Sequence, residues 1–221
     1  MPLTNLSELR SAIADFGTGR TDLSNSVIDN FITLAEHDIE HGTYTEGGGV
    51  TSPALRVRQM EQTTNLTLSG EFTNLPSDYL QMREVSWVSQ TNKPPLKFVT
   101  PEAFDSTFRS TSSGPAKVWT VVGNQLRVGP AASGSDTLRL TYYAAIPSLV
   151  DNGTNWLMTG WPNAYLYGSL RHLAPYIGAM DFLPVWQSAY LSSVWAIIRS
   201  QNAGSFSGTS MAQSNAGITI A

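Results

Sequence analysis

The sequence predicts an α+β protein: a helical bundle formed by the N- and C-terminal helices, a small antiparallel β domain inserted between them, and a flexible C-terminal tail. Three observations carry this. Apolar residues recur at three-to-four spacing near both ends of the 221 residues, the spacing of one helix face. Through the middle the period drops to two, as in half-buried strands. The last twenty residues lack charge and are rich in Ser, Gly, Ala and Asn, a composition that cannot bury enough apolar surface to fold alone. The expected divisions are residues 1–56 with 148–201 for the bundle, 57–147 for the β domain and 202–221 for an extended tail.

The elements follow in order. Residues 5–16 read as a short helix capped by Thr4 or Asn5, with Leu6, Leu9, Ile13 and Phe16 on one face. A second starts after Asp22 or Ser24. Its apolar stripe includes Val27, Ile28, Phe31, Ile32, Ala35 and Ile39, with Asp29, Glu36, Asp38 and Glu40 filling the rest until Gly42 stops it. Residues 42–54 contain Gly47, Gly48 and Gly49 in succession. They are expected to form a loop, mobile unless a neighbour holds it.

Strands are expected from Met60 to Leu68, Met82 to Val88 and Leu96 to Val99. A further hairpin turns at Gly123-Asn124, and a last strand runs from Thr137 to Tyr143. Pro101 to Phe108 fits a short helix capped by Thr100. After Pro147 helices resume. One opens at Pro162 and is kinked or ended by Pro175; a longer one is capped by Asp181 and has Pro184 in its first turn.

Only 14% of the residues are charged, against about 25% in ordinary soluble chains. The shortage is worst after residue 150, where two basic and two acidic groups serve the rest of the chain. Eleven of the 22 aromatics fall between Tyr142 and Trp195. So much ring area on so few helices is expected to face another chain in part. Residues 1–82 carry 4 basic and 11 acidic groups, and residues 83–149 carry 7 and 4. No basic stripe of the kind that grips duplex DNA is present. The opening residues lack a basic and an apolar signal region, so no secretory signal is expected. No uncharged apolar run reaches the length of a membrane span.

Catalytic patterns are absent, and no enzyme is expected. With no cysteine, thiolate metal sites and cysteine nucleophiles are excluded. His37 and His41 share a helix face, as two metal-binding imidazoles would. However, Asp38 stands where a zinc hydrolase has its general base, and His172 is the only other histidine. No metal or cofactor is expected. The three lysines, Lys93, Lys97 and Lys117, all fall in the β region. An alternative reading makes that region a carbohydrate-binding or other tail-associated interaction module, with exposed Trp87 and Trp119 stacking on sugars. The ending Ile218-Thr219-Ile220 has the alternation of a strand that lacks an edge to join.

Three stretches, taken together, resemble a known family. Asp29-Asn30-Phe31-Ile32-Thr33-Leu34-Ala35-Glu36-His37-Asp38-Ile39 is followed by Leu55-Arg56-Val57-Arg58-Gln59-Met60-Glu61. Next comes Leu75-Pro76-Ser77-Asp78-Tyr79-Leu80. Last is Leu140-Thr141-Tyr142-Tyr143-Ala144-Ala145-Ile146-Pro147-Ser148-Leu149, continued by Thr154-Asn155-Trp156-Leu157-Met158 and Pro162-Asn163-Ala164-Tyr165-Leu166-Tyr167-Gly168. This order resembles the adaptor, or head–tail connector, proteins of tailed bacteriophages. The sequence departs from the family pattern at 42–54 and after 202. The resemblance implies a structural virion protein in the neck, assembled in the host cytoplasm. It implies a ring of about twelve copies between the portal protein and a downstream tail or nozzle protein, with DNA passing through without sequence-specific binding. Ile218, Thr219 and Ile220 are then the expected docking residues, and Gly47–Gly49 a second candidate element.

Overall fold

The computed structural model describes residues 3–17, 23–68, 70–88, 94–108, 114–131 and 136–205, with side chains as far as Gln201. The chain divides into two compact units. Residues up to Leu55 join those from Pro147 onward in one, and Arg56–Ile146 form the other.

The first unit is helical. Helix α1 (Leu6–Phe16) is capped by Asn5, whose side chain accepts the Glu8 N–H, and buries Leu6, Leu9 and Ile13. Helix α2 (Asn25–His41) buries Ile28, Ile32, Ala35 and Ile39 along one stripe, together with Glu36. Arg10 grips both carboxylate oxygens of Asp29 at 2.7 Å and ties α1 to α2.

Residues 42–54, expected as a loop, instead form a hairpin of β1 (Thr43–Tyr44) and β2 (Val50–Ser52). Gly42 makes it possible. It ends α2 at φ +76°, and a Cβ there would lie 2.7 Å from the Ser52 carbonyl oxygen. The tip is closed by the Thr45 N–H on the Gly49 carbonyl (2.8 Å) and the Gly49 N–H on the Thr45 hydroxyl (3.1 Å). The base is held by the Leu55 N–H on the Ile39 carbonyl (2.8 Å).

The described residues of the second unit form a 3-10 turn (Arg58–Met60), seven strands and one α-helix: β3 (Glu61–Leu68), β4 (Phe72–Asn74), β5 (Tyr79–Trp87), β6 (Lys97–Phe98), α3 (Pro101–Phe108), β7 (Val118–Val122), β8 (Gln125–Gly129) and β9 (Asp136–Ala144). Two sheets result, ordered β3-β9-β5 and β4-β8-β7-β6. Every pairing is antiparallel except β6 with β7, a short parallel contact that the expected all-antiparallel domain lacked. Leu138, Leu140 and Tyr142 alternate inward from the central β9, as period two requires. They share a core with Leu68, Val85, Trp87, Trp119, Leu126 and Val128 from both sheets. Helix α3 buries Phe104 so closely that a Cβ on Gly129 would meet its ring at 2.8 Å.

Back in the helical unit, two one-turn helices, α4 (Leu149–Asn152) and α5 (Trp156–Gly160), precede the long α6 (Pro162–Ile177) and α7 (Leu183–Ser205). Helix α6 packs on α1, α2 and α7. Gly168 permits the closeness: a Cβ there would stand 3.0 Å from Ala35 Cβ and 3.4 Å from the Tyr190 ring.

Three boundaries differ from expectation. Helix α6 runs through Pro175 and ends two residues later at Ile177, capped by Gly178 in the left-handed conformation. Pro175 falls in the last turn, where the chain curls away regardless. Asp181 sits inside a 3-10 turn (Met180–Phe182) rather than capping α7. Helix α7 also continues to Ser205, so residues 202–205 are helical rather than extended. Among the described residues no helix is long and apolar enough to cross a membrane.

Candidate functional site

Two polar clusters are buried in the helical unit. Glu36, on the otherwise apolar face of α2, places Oε1 where it accepts the Leu149 N–H (2.8 Å) and the Tyr165 hydroxyl (3.0 Å). The Tyr165 oxygen accepts in turn from Asn155 Nδ2 at 2.7 Å. That amide also donates to the Pro147 carbonyl, while its oxygen caps α5 through the Met158 N–H, each at 2.8 Å. Burial is the main cause that pushes the Glu36 carboxyl above its ordinary range, opposed by these two hydrogen bonds. Burial, followed by the nearby Glu36 charge, pushes the Tyr165 phenol far up, so it remains a donor.

The second cluster centres on Arg171 of α6. It pairs with Asp38 Oδ2, which His172 Nε2 also contacts at 2.6 Å. Arg171 donates to Gln187 at 3.2 Å, and its guanidinium lies over the Tyr190 ring at 4.3 Å. Burial raises the Tyr190 phenol as well. Both clusters join chain segments more than a hundred positions apart, and in both the carboxylate is answered by donors from the far segment. They are fastenings.

His37 and His41 stack ring on ring at 4.3 Å, with His41 Nδ1 3.1 Å from the His37 carbonyl oxygen. Among the described residues no group of three His, Cys, Asp or Glu is placed to hold a metal.

Trp87 and Trp119 do not form a sugar platform. They are buried at 5% and 8% exposure. Trp119 is packed edge-on against Phe98 and donates its indole N–H to the Leu96 carbonyl. Their strand positions alternate inward, which turns the rings into the core. Beside Trp87 lies an apolar cleft of about 440 Å³, lined among others by Pro94, Pro95, Pro115, Lys97 and Lys117.

The exposed apolar surface is concentrated elsewhere. Tyr176, Met180, Phe182 and Val185 are all more than half exposed around the turn from α6 to α7, and Trp195 stands out from α7. Phe31 meets Tyr176 edge-on, and Phe182 stacks on Trp186. The aromatic excess between 142 and 195 therefore splits. Tyr142, Tyr165, Trp186 and Tyr190 are buried, whereas Tyr176, Phe182 and Trp195 stand at the surface around α6 and α7. Gly47, Gly48 and Gly49 make the tip of the β1–β2 hairpin and are exposed. Ile218, Thr219 and Ile220 lie outside the described residues.

A helical unit that exposes aromatic rings while fastening itself internally, carrying a separate β unit, defines a protein built for contacts with other chains. The protein-family model described as SU10 adaptor protein matches residues 4–212. The chain belongs to that family, and is thereby a phage adaptor protein, in line with the motif order between Asp29 and Gly168. No curated protein matches the chain.

Proposed function

We propose that the chain is a ring-forming head–tail adaptor of the virion neck, joining the portal protein to a downstream tail or nozzle protein. About twelve copies would enclose part of the channel through which DNA passes. The observation that carries this reading is the α6–α7 corner. Monomeric soluble proteins seldom leave contiguous apolar patches of this kind uncovered, and such patches mark contact surfaces. The low charge after residue 150 points the same way, since interface cores are depleted of charge and enriched in aromatics. The net charge of −4 suits a conduit that repels rather than holds DNA. Ile218-Thr219-Ile220 is assigned to strand addition on the portal or the next copy.

Size-exclusion chromatography with mass analysis, run with and without portal protein, tests the reading. Discrete ring-sized particles or portal-bound protein support it. A chain that stays strictly monomeric in both conditions overturns it.

A further inference from the structure

Two surface features that the helical corner does not involve match each other in shape and charge. The first is the β1–β2 hairpin. Tyr44 and Val50 are cross-strand partners, and both point into solvent at 63% and 61% exposure. Glu46 is exposed at the turn between them and makes no ion pair among the described residues. The hairpin is nevertheless held in place at its base, where Ser52 is wholly buried and Gly42 admits no side chain. The second feature is the cleft of the β unit. Its walls are Trp87, Pro94, Pro95 and Pro115, and its rim carries Lys97 and Lys117. Both lysines are exposed, and neither forms an ion pair among the described residues.

We propose that the hairpin tip of one copy docks in the Trp87–proline cleft of the next copy, Tyr44 and Val50 entering the cleft and Glu46 meeting Lys97 and Lys117. The cleft's volume is that of a small-ligand pocket, about 300–1,000 Å³. It therefore accepts a few side chains rather than a whole element, which is what a hairpin tip offers. An exposed aromatic beside an exposed aliphatic supplies the buried area of an interface anchor. The opposite charges fix orientation and disfavour wrong partners. Because knob and hole are built from different segments of the chain, the contact is heterologous. A heterologous contact repeats from copy to copy until it closes into a ring or runs on as a filament. The proposal thus rests on the ring reading above and supplies it with a specific joint. It also gives residues 42–54 a purpose, in a stretch where this chain departs from the motif pattern it otherwise resembles.

The test uses the full chain, which has no cysteine and hence no competing thiol. One tagged preparation carries Val50→Cys, a differently tagged one carries Lys117→Cys, and the two are mixed and oxidised. A disulfide between the two tags is expected. A chain carrying both substitutions should give a ladder of covalent oligomers ending at one closed size. A bond formed only within single chains overturns the docking, as does a ladder that stops at dimers. In parallel, Lys97→Glu with Lys117→Glu should raise the concentration for half-assembly by at least about tenfold through like-charge contact with Glu46. Adding Glu46→Lys should restore it. Near-UV circular dichroism of the variants checks that the fold is kept.

If the unaltered chain forms rings and the lysine variants form them at the same concentration, the docking is wrong while the ring reading stands. If the unaltered chain never assembles, even with portal protein, the ring reading fails and the docking with it.

Discussion

In the helical unit Glu36 and Arg171 are drawn to within 8–9% exposure and Asp38 lies close behind them, whereas the only buried polar side chain described in the β unit is Thr120. The β unit comes from one uninterrupted stretch of chain. The β7–β8 hairpin sets its own register locally, while β9 pairs with β3 and β5 from far along the chain and is held in register by its period-two apolar face. The helical unit is assembled from two stretches separated by the whole β unit, so no turn dictates how α2 meets α6. Its buried polar contacts span 113 positions for Glu36 with Leu149 and 133 for Arg171 with Asp38. Apolar stripes alone let two helices slide by a turn. A buried carboxylate with a single matching set of donors does not, because any other register leaves it unpaired.

The largest test of this contrast is Arg171→Met. It removes the guanidinium but keeps much of the volume over Tyr190, leaving Asp38 with His172 alone. Losing one partner of a buried ion pair costs about 3–5 kcal/mol, and urea unfolding should show a loss of that order. A loss below about 1 kcal/mol would mean that apolar packing alone sets the helix register. The counterpart in the β unit is Leu140→Ala, where a fully buried side chain of the central strand is removed. About 2–5 kcal/mol is expected, the usual range for such a cavity. Removing the Arg83–Glu61 pair should not come near it, because the Arg83 side chain is 51% exposed.

Residue by residue, the same contrast decides what was legible in the sequence. Leu138, Leu140 and Tyr142 were readable as an inward face because strand period is local. The caps Asn5 and Thr100 were readable for the same reason. Glu36 and Asp38 looked like two members of the polar filling of α2. Nothing within ten residues of either distinguishes them from Glu40 or Asp29 on the same helix, and their donors lie beyond residue 146. The hairpin was half legible. Its glycine run reads as looseness, yet Gly42 and Gly48 adopt positive φ and serve the turn geometry. The signal was the pair Tyr44 and Val50 flanking a short Gly-rich turn. The cleft could not have been read at all, since it brings Trp87, Pro94 and Pro115 together only after the sheets form. The parallel β6–β7 contact was hidden likewise, because two residues have no period.

Glu36→Gln sharpens the comparison through pH. The folded carboxyl is pushed above the ordinary range of about 4.5, so the folded state holds the proton more tightly than the unfolded chain does. This group's contribution is therefore fully present below the ordinary value and is lost as pH rises through the raised folded value. Thermal melts of the wild type from pH 4 to 8 should contain that decline, and Glu36→Gln should lack it. The amide oxygen still accepts from Leu149 and Tyr165, so the variant should match or exceed the wild type at pH 8. An identical pH slope in both would place Glu36 in water. The β unit has an opposite limit in Tyr142, whose phenol burial and the Asp78 carboxylate push up to about 12. It is neutral throughout this range and adds no slope.

The smallest effect is expected at the most exposed ion pair described in the β unit. Arg83 of β5 pairs with Glu61 of β3, the strands on either side of β9, but its side chain is 51% exposed. Water solvates both groups in the unfolded chain and much of both in the folded one, and ordering two long side chains costs entropy. Exposed pairs of this kind are worth about 0.2–1 kcal/mol and weaken with salt. A double-mutant cycle of Arg83→Ala and Glu61→Ala should accordingly give a coupling at the bottom of that range, gone at high salt. A salt-resistant coupling as large as that of Arg171 would break the contrast, because it would show the β unit relying on a fixed ion pair for register as the helical unit does. A negligible one leaves β3, β5 and β9 aligned by Leu66, Val85, Leu138 and Leu140, the apolar residues of their shared face.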